Sequence, residues 1–293
     1  MTRRFGGNNS SRCTSHTVVI TGAGGDLGRE LAVRLSRQGG PVALVDQDRG
    51  RLAATLRDCR NASDAVSSWH VDVTSADDVS RLADAVRSHA GPAHALYNFA
   101  GVIHAGLLVD SQMADLEHVI RVDLLGTIAC SQAFMPQLVE SGHGQLVNVS
   151  SAFGLIGVPG YATYSAAKFG VRGFTEAMQQ EVDHVNVTVS AVYPGAVRTG
   201  IMRRGTYAST ANRNEIQHTF EDSLARTSAE DAAAQIVKGV ARGRRRIVVG
   251  ADARLVDALV RVAGGGYQRL SRRMGMRQHP DRGDRDVQQV APR

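Results

Sequence analysis

The stretch TVVITGAGGDLG, residues 17–28, decides the fold. Its first residues form a β-branched, apolar run that predicts a buried strand, and the glycine-rich turn after it leads directly into a segment of helical periodicity. Glycines in such a turn let the backbone approach a diphosphate, whose charge is stabilised by free N–H groups and the helix dipole. An ordinary strand-to-helix turn can hold the same glycines, so a second signal is needed. The residues of the turn predicted to bind a dinucleotide are Gly22, Gly24, Gly25, Asp26, Leu27 and Gly28.

A carboxylate at the end of the next predicted strand provides that second signal. Asp46 closes the run 42–46, where a carboxylate can accept hydrogen bonds from both hydroxyls of an adenosine ribose. Gln47 follows it rather than an arginine, so a 2′-phosphate would be repelled and NAD is favoured over NADP. In the alternative, an NADPH site, Arg29 or Arg49 reaches the 2′-phosphate despite Asp46.

The chain repeats the same order of strand and helix up to about residue 250. The predicted strands are 17–20, 42–46, 69–73, 95–99, 145–150, 188–193 and 246–249. The predicted helices are 26–38, 49–59, 76–89, 112–140, 162–182 and 228–241. This alternation predicts an α/β fold, a doubly wound, Rossmann-like parallel sheet of about seven strands with helices on both faces. Asp72 and Val73 end the third strand, where they can contact the adenine, although an aspartate capping the next loop fits the same position.

The composition fits a globular protein of a reducing compartment. Hydrophobic residues make up 43% of the chain and aromatic residues only 5%, as expected for a core of Ala, Val, Leu and Ile. Cys13, Cys59 and Cys130 have no partners at metal-ligand spacing, so neither a disulfide framework nor a metal site is predicted. Without a signal-peptide core or an apolar run long enough to span a bilayer, we expect a cytoplasmic protein.

The basic charge is concentrated near the end of the chain. Ten arginines lie in the segment from Arg242 to Arg277, against Asp252 and Asp257, whereas the whole chain has a net charge of +6. A solvated helix that partly faces a neighbouring subunit explains this segment. Peripheral contact with an anionic membrane is the alternative, and nucleic-acid binding is disfavoured.

The segment 145–168 contains the candidate catalytic residues. A predicted strand ends in Ser150 and Ser151, and after a glycine-containing loop Tyr164 and Lys168 stand one turn apart on a helix. A tyrosine hydroxyl has a pKa of about 10 and is a poor base at neutral pH, but a nearby lysine ammonium and an oxidised nicotinamide would favour its phenolate. The pair therefore predicts proton transfer to and from a substrate oxygen.

With the dinucleotide turn, the strand-end aspartate, the Ser-Ser pair and Tyr-x-x-x-Lys in this order, the sequence resembles the short-chain dehydrogenase/reductase family over about residues 16–250. The resemblance implies that Ser151 orients the substrate oxygen and that Tyr164 is the general acid/base. It implies that Lys168 binds the nicotinamide ribose and lowers the pKa of Tyr164. Further cofactor-binding residues implied by the family's Asn-Asn-Ala-Gly and Pro-Gly segments are Asn98, Ala100, Gly101, Pro194, Gly195, Val197 and Thr199.

The sequence departs from the family pattern at three positions. Phe99 replaces the second asparagine of the Asn-Asn-Ala-Gly segment, and Asp26 stands where many members have glycine. Asp123 stands where an asparagine usually completes the catalytic set. An aspartate there can still accept from a backbone group or a water, but its charge would raise the pKa of Tyr164 and shift the pH optimum upward. We therefore keep Asp123 among the catalytic candidates.

These signals predict an NAD(P)-dependent oxidoreductase that interconverts a small hydrophobic secondary alcohol and its ketone. The alternatives are a non-catalytic dinucleotide-binding regulator and an NADPH-preferring carbonyl reductase. The resemblance implies a homodimer or homotetramer joined through the helices near 116–139 and 162–182. Four segments are expected: a flexible leader (1–15), the catalytic domain (16–250), a basic amphipathic helix (251–276) and a disordered tail (277–293). The polar segment 200–227, which we call the lid, is expected to be mobile and to cover the substrate.

Overall fold

Seven short runs of mostly apolar residues form the central sheet of the protein, whose computed structural model describes residues 16–268. The strands are β1 (Thr17–Thr21), β2 (Val42–Asp46), β3 (Val66–His70), β4 (Ala93–Asn98), β5 (Gly144–Val149), β6 (Val187–Pro194) and β7 (Arg246–Val249). Their order across the sheet is β7-β6-β5-β4-β1-β2-β3, and every pairing is parallel. The predicted fold class, a doubly wound Rossmann-like sheet, is confirmed.

Helices cross over between the strands and cover both faces of the sheet. They are α1 (Asp26–Ser36), α2 (Arg49–Arg60), α3 (Ala76–Ala90), α4 (Met113–Ile120), α5 (Gly126–Glu140), α6 (Ala162–Glu181), α7 (Ala229–Ala241) and α8 (Ala251–Ala263). Several begin where the sequence places a capping side chain: Asp48 accepts from the Arg51 N–H, and Ser228 accepts from the Asp231 N–H. α1, α2 and α7 pack on one face through one apolar cluster, and α3 and α5 pack on the other face through a second.

The strand order reverses direction next to β1, and this reversal positions the site. β1 pairs with β2 on one side and with β4 on the other, so that Thr21 faces Val45 and Asn98 across the sheet. The crossovers after β1 and β4 therefore leave the sheet on opposite faces. Such a point opens a crevice at the carboxyl edge of a parallel sheet, where ligands of this architecture bind.

Two of the predicted elements differ from the structure. The third strand is predicted at 69–73 but runs Val66–His70, because it is an edge strand with one buried face and its serines hide the pattern. Asp72 thus lies beyond the strand end. The helix predicted at 112–140 is divided by a π-helical turn, Arg121–Leu125, between α4 and α5.

The lid, residues 200–227, contains regular structure that its weak periodicity does not reveal. It holds two short helices, Ile201–Arg204 and Arg213–His218, and a π-helical turn, Thr219–Leu224, each too short to show a helical repeat in the sequence. Two small parallel pairings fasten it: Thr206–Tyr207 pairs with His104–Ala105, and Thr227–Ser228 pairs with Val197–Arg198. The lid is thereby hydrogen-bonded to the body of the protein at two places.

The segments predicted at the chain ends are only partly described. In the predicted helix 251–276, α8 ends at Ala263 and a 3₁₀ turn, Gly264–Tyr267, follows. Residues 269–276, the predicted tail 277–293 and the predicted leader 1–15 lie outside the described residues. Between residues 16 and 268, each helix is too short or too polar to cross a bilayer.

Candidate active site

A cavity of about 1000 Å³ opens at the carboxyl edge of the sheet. The turn between β1 and α1 and the residues after β2, β4 and β5 form one part of its wall. The start of α6, the segment after β6, the lid and the start of α8 form the other part. Its volume is at the upper end of the range of ordinary ligand pockets, as an extended ligand such as a dinucleotide requires.

The glycine-rich turn is built so that the backbone itself lines the cavity. Gly22 has a φ of +65°, and a Cβ on it would lie 2.6 Å from the Ala100 nitrogen. A Cβ on Gly28 would lie 2.3 Å from the Gly22 carbonyl oxygen, so only glycine fits either position. Gly25 begins α1 without a side chain to cap the first N–H groups. These groups remain for an anionic ligand, and the turn fits a dinucleotide diphosphate.

The end of β2 presents Asp46 to the same cavity. The carboxylate is oriented by two backbone groups: Oδ2 accepts from the Gly24 N–H at 2.9 Å and Oδ1 accepts from the Asp48 N–H at 2.8 Å. Arg51 lines the wall next to it, and its Nε lies 3.0 Å from Asp48 Oδ2. A rigid carboxylate with a neighbouring guanidinium whose charge is paired suits ribose hydroxyls.

Neither arginine named for the NADPH alternative lines the cavity. Arg29 pairs with Asp58 on the outer side of α1 and α2, and Arg49 is exposed at the start of α2. The structure instead brings Arg51 to the ribose end. The sequence contains a signal for it, since Arg51 stands one turn inside a helix that begins just after Asp46.

Ser151, Tyr164 and Lys168 come together where β5 and α6 meet. A hydrogen bond joins the Ser151 and Tyr164 side chains. Lys168 Nζ lies 5.6 Å from the centre of the Tyr164 ring and donates to the Val149 carbonyl at 3.1 Å. Ser150 faces the helix backbone, because its hydroxyl donates to the Lys168 carbonyl at 2.7 Å. Ser151 Oγ accepts from the Phe153 N–H at 3.1 Å and lines the cavity, so of the two serines it is the one whose hydroxyl can donate to a substrate oxygen.

Asp123 joins this cluster through the π-helical turn, which directs its carboxylate inward. Asp123 Oδ2 lies 2.9 Å from Lys168 Nζ, and Oδ1 accepts from the Val102 N–H at 2.8 Å. Both side chains are buried, at 0% and 5% exposure. The backbone contact agrees with the expectation that an aspartate can accept there, whereas the direct ion pair with Lys168 was not anticipated.

These contacts determine the proton affinities of the site. Burial raises the pKa of Tyr164; the Lys168 ammonium opposes that rise, the Asp123 carboxylate adds to it and the Ser151 hydrogen bond opposes it. Burial alone would lower the pKa of Lys168, but the Asp123 charge raises it above its ordinary value. Lys168 thus stays charged at neutral pH, with part of its effect on Tyr164 offset by Asp123.

The segment after β6 is held against the cavity by α8. The Gly195 N–H donates to the Val249 carbonyl at 2.9 Å, and the Ala196 N–H donates to Asp252 Oδ2 at 2.6 Å. A Cβ on Gly195 would lie 2.1 Å from the same Asp252 oxygen, so a larger residue there would displace the Asp252 carboxylate. Asp252, in the first turn of α8, was not anticipated from the sequence, because its role depends on a contact between distant segments.

Most of the predicted site residues line this cavity. They are Gly22, Gly25, Asp26, Leu27, Gly28, Asp46, Asp72, Val73, Ala100, Gly101, Asp123, Ser151, Tyr164, Lys168, Pro194, Gly195, Val197 and Thr199. Gly24 does not line it but donates to Asp46 from behind. Asn98 is buried away from the cavity and donates to Asn148 at 2.9 Å and to Ser131 at 3.1 Å, so it joins β4 to β5 and α5.

Beyond Tyr164 the cavity becomes apolar, and we call this part the apolar end. Its lining residues are Ile103, Phe153, Ile156, Val158, Ile201, Met202, Phe220, Leu224, Leu255 and Val256. His104 supports it from behind: the buried ring contacts the Thr206 hydroxyl and the Ser111 hydroxyl, each at 2.8 Å. His104 therefore ties the lid to the loop after β4.

Comparison with known proteins agrees with this geometry. The family model described as short chain dehydrogenase matches residues 16–208. A putative oxidoreductase SadH of Mycobacterium tuberculosis is 44% identical over 255 residues, which cover 86% of this chain and 92% of the relative. A 3-oxoacyl-[acyl-carrier-protein] reductase FabG of Thermotoga maritima is 30% identical over 188 residues, 64% of this chain and 76% of the relative.

A solved structure shares the whole architecture. It is a short chain dehydrogenase/reductase from Burkholderia phymatum in complex with NAD, with a TM-score of 0.79 and 28% identity, covering 88% of this chain and 95% of that one. The family match takes in the glycine-rich turn, Ser151, Tyr164 and Lys168, and the relative from Mycobacterium is similar over nearly its full length. This chain belongs to the short-chain dehydrogenase/reductase family of oxidoreductases.

Proposed function

We propose that the protein interconverts a hydrophobic secondary alcohol and its ketone by hydride transfer with NAD, using Tyr164 as general acid/base. One observation carries the proposal: Ser151, Tyr164 and Lys168 lie together in the wall of the cavity that the glycine-rich turn also lines. A proton donor and a dinucleotide site that share one cavity suit hydride transfer to a carbonyl carbon.

Each side chain has a separate task in this reaction. Ser151 donates a hydrogen bond to the substrate oxygen and so orients the reacting carbon. Tyr164 gives its phenolic proton to that oxygen during reduction and takes it back during oxidation. Lys168 opposes the rise of the Tyr164 pKa that burial causes and, by the family likeness, binds the nicotinamide ribose. A bound nicotinamide dinucleotide supplies the hydride for reduction and accepts it for oxidation.

The preference for NAD rests on charge at the ribose end of the cavity. Asp46 is fixed by two backbone N–H groups, so it cannot turn away from a 2′-phosphate without losing both bonds. Arg51 is the cation that could offset this repulsion, but it lies beside Asp48. The solved relative from Burkholderia phymatum binds NAD, which agrees with the proposal.

The substrate class follows from the apolar end. Among the residues that line it, aliphatic and aromatic side chains from the lid, α8 and the loop after β5 predominate. Burial of an apolar substrate stabilises binding by about 25 cal/mol per Å² of apolar surface removed from water. A compact hydrophobic ketone or alcohol is therefore the proposed substrate.

The test is a fluorescence titration with NADH and NADPH, followed by turnover against a panel of hydrophobic ketones and secondary alcohols. The Tyr164→Phe variant should keep its NADH affinity and lose most turnover, because the ring remains and the transferable proton does not. Tyr97→Phe is a matched control, since Tyr97 is buried in the core and does not line the cavity.

The alternatives predict other results. A non-catalytic regulator would bind NADH but show no turnover that depends on Tyr164. An NADPH-preferring reductase would bind NADPH more tightly than NADH and would depend on Arg51 for that preference. Binding of neither nucleotide would refute the proposed function.

A further inference from the structure

Asp26, the residue that stands where many family members have glycine, links the dinucleotide turn to the lid. It is the first residue of α1, and its Oδ2 accepts from the Gly200 N–H at 2.8 Å and from Arg204 Nη2 at 2.8 Å. Gly200 and Arg204 belong to the lid, far away in the sequence. One carboxylate oxygen thus holds a lid backbone group and a lid guanidinium at the start of α1.

This carboxylate creates an electrostatic problem at the turn. The uncapped start of α1 attracts anions through its N–H groups and the helix dipole. Burial alone would raise the pKa of Asp26, but the hydrogen bonds from Arg204 and Gly200 hold it below its ordinary value. The group is therefore ionised at neutral pH, and its full negative charge opposes the diphosphate that the turn fits.

Arg204 is placed to resolve this conflict. A Cβ on Gly200 would come within 2.5 Å of Arg204 Nη1, so a larger residue at 200 would displace the guanidinium from its present position. Arg204 lines the same cavity as Gly25 and Leu27. A guanidinium has five N–H donors, and the bond to Asp26 uses only part of them. The remaining donors are available to an anion in the cavity.

We propose that Arg204 binds the diphosphate of the dinucleotide from the lid side, and that Asp26 is the positioning residue that holds it there. This inference rests on the proposed function, because it assigns a further contact to the same cofactor. Planar guanidinium donors suit paired phosphate oxygens, and Arg204 supplies the charge that Asp26 would otherwise cancel. Cofactor binding and closure of the lid over the apolar end are thereby coupled through one side chain.

The experiment measures the dissociation constants of NADH and of ADP-ribose, which keeps the diphosphate but lacks the nicotinamide. In Arg204→Gln we expect both affinities to fall by about tenfold or more, the loss of one charge-assisted contact. The salt dependence of binding should also become weaker, because screening acts on the lost charge. Arg203→Gln is the matched control: Arg203 lies on the same short helix, pairs with Glu221 and does not line the cavity.

A second variant tests whether Asp26 acts by positioning Arg204. Asp26→Asn keeps an oxygen for Gly200 and Arg204 but removes the opposing charge. Alone, Asp26→Asn should not raise the ADP-ribose affinity, because the carboxylate is paired with Arg204. Added to Arg204→Gln, it should restore a measurable part of the lost affinity, so the two substitutions should be non-additive.

Two results would overturn the inference. In the first, the wild type binds NADH, but Arg204→Gln changes the ADP-ribose affinity by less than twofold. This result would reject the role of Arg204 and leave the proposed function standing. A wild-type protein that binds neither NADH nor ADP-ribose would reject both.

Discussion

Asp123 and Lys168 form a buried ion pair in the site. The same Lys168 ammonium also opposes the rise of the Tyr164 pKa. The carboxylate lies 2.9 Å from the ammonium and adds to the rise of the Tyr164 pKa that burial causes. An asparagine at the same position would keep an oxygen for the Val102 N–H without the charge. The substitution therefore isolates the electrostatic effect of Asp123 from its hydrogen bonding.

For Asp123→Asn we expect the pH profile of alcohol oxidation to move to lower pH. Oxidation needs the phenolate of Tyr164, and removing a neighbouring negative charge lowers the pKa of that group. The measurement is kcat/KM for the alcohol across pH in both proteins. A profile that stays in place, or moves upward, would mean that the Asp123 charge does not reach Tyr164.

We expect Asp46 and Arg51 to determine the choice between the two nicotinamide cofactors. In Asp46→Ser we expect the ratio of NADPH to NADH affinity to rise about tenfold, because the repulsion of a 2′-phosphate is lost and Arg51 can turn to it. Fluorescence titration of both cofactors measures this ratio. Adding Arg51→Gln should reverse the gain, whereas adding Arg49→Gln, outside the cavity, should not; equal effects of the two would contradict the assignment of Arg51.

At the scale of elements, α8 closes the apolar end although it lies beyond residues 16–208, the part that the family model matches. Asp252 in its first turn holds the Ala196 N–H, while Val256 packs against the core cluster next to Tyr164. Leu255 lines the cavity and remains 71% exposed. The helix thus links the segment after β6 to the apolar end of the cavity.

We expect Leu255→Asp to raise the KM for a hydrophobic ketone by about tenfold, because a charge in an apolar wall is costly to desolvate. The Kd of NADH should stay unchanged. Because Leu255 is exposed, the substitution should not disturb the folding of the protein. Val262→Asp, 88% exposed on the same helix, is the control. Equal KM values in both variants would show that α8 does not contact the substrate.

At the scale of the whole molecule, the described surface keeps large apolar side chains on the helices that family members use to associate. Leu125 is 52% exposed and Phe169 is 38% exposed, on the π-helical turn and on α6. Family members are commonly oligomeric, and we expect a homodimer or homotetramer in light scattering coupled to size-exclusion chromatography. Leu125→Glu combined with Phe169→Glu should reduce the mass, whereas Val109→Glu on an exposed loop should not. A monomeric wild type would contradict this prediction.

The sequence predicts the fold and the oxidoreductase family because both depend on local patterns. The glycine-rich turn, the strand-end Asp46 and the pair Tyr164 and Lys168 are each readable within one or two turns of chain. The contact of Asp26 with Arg204 is different, since it joins segments that only the folded lid brings together. The π-helical turn at Asp123 is likewise invisible to a search for helical periodicity, which treats 112–140 as one helix.

The two short pairings that fasten the lid also set residues 208–226 apart from the rest of the chain. Thr206–Tyr207 and Thr227–Ser228 are both bonded to the body, so residues 208–226 form a closed loop whose ends do not depend on its contents. A segment of different length or composition can be placed between these two pairings without changing the positions of Ser151, Tyr164 and Lys168. We expect insertions and deletions within this segment to change the side chains that it presents to the cavity, such as Phe220 and Leu224, at a small cost in loop closure.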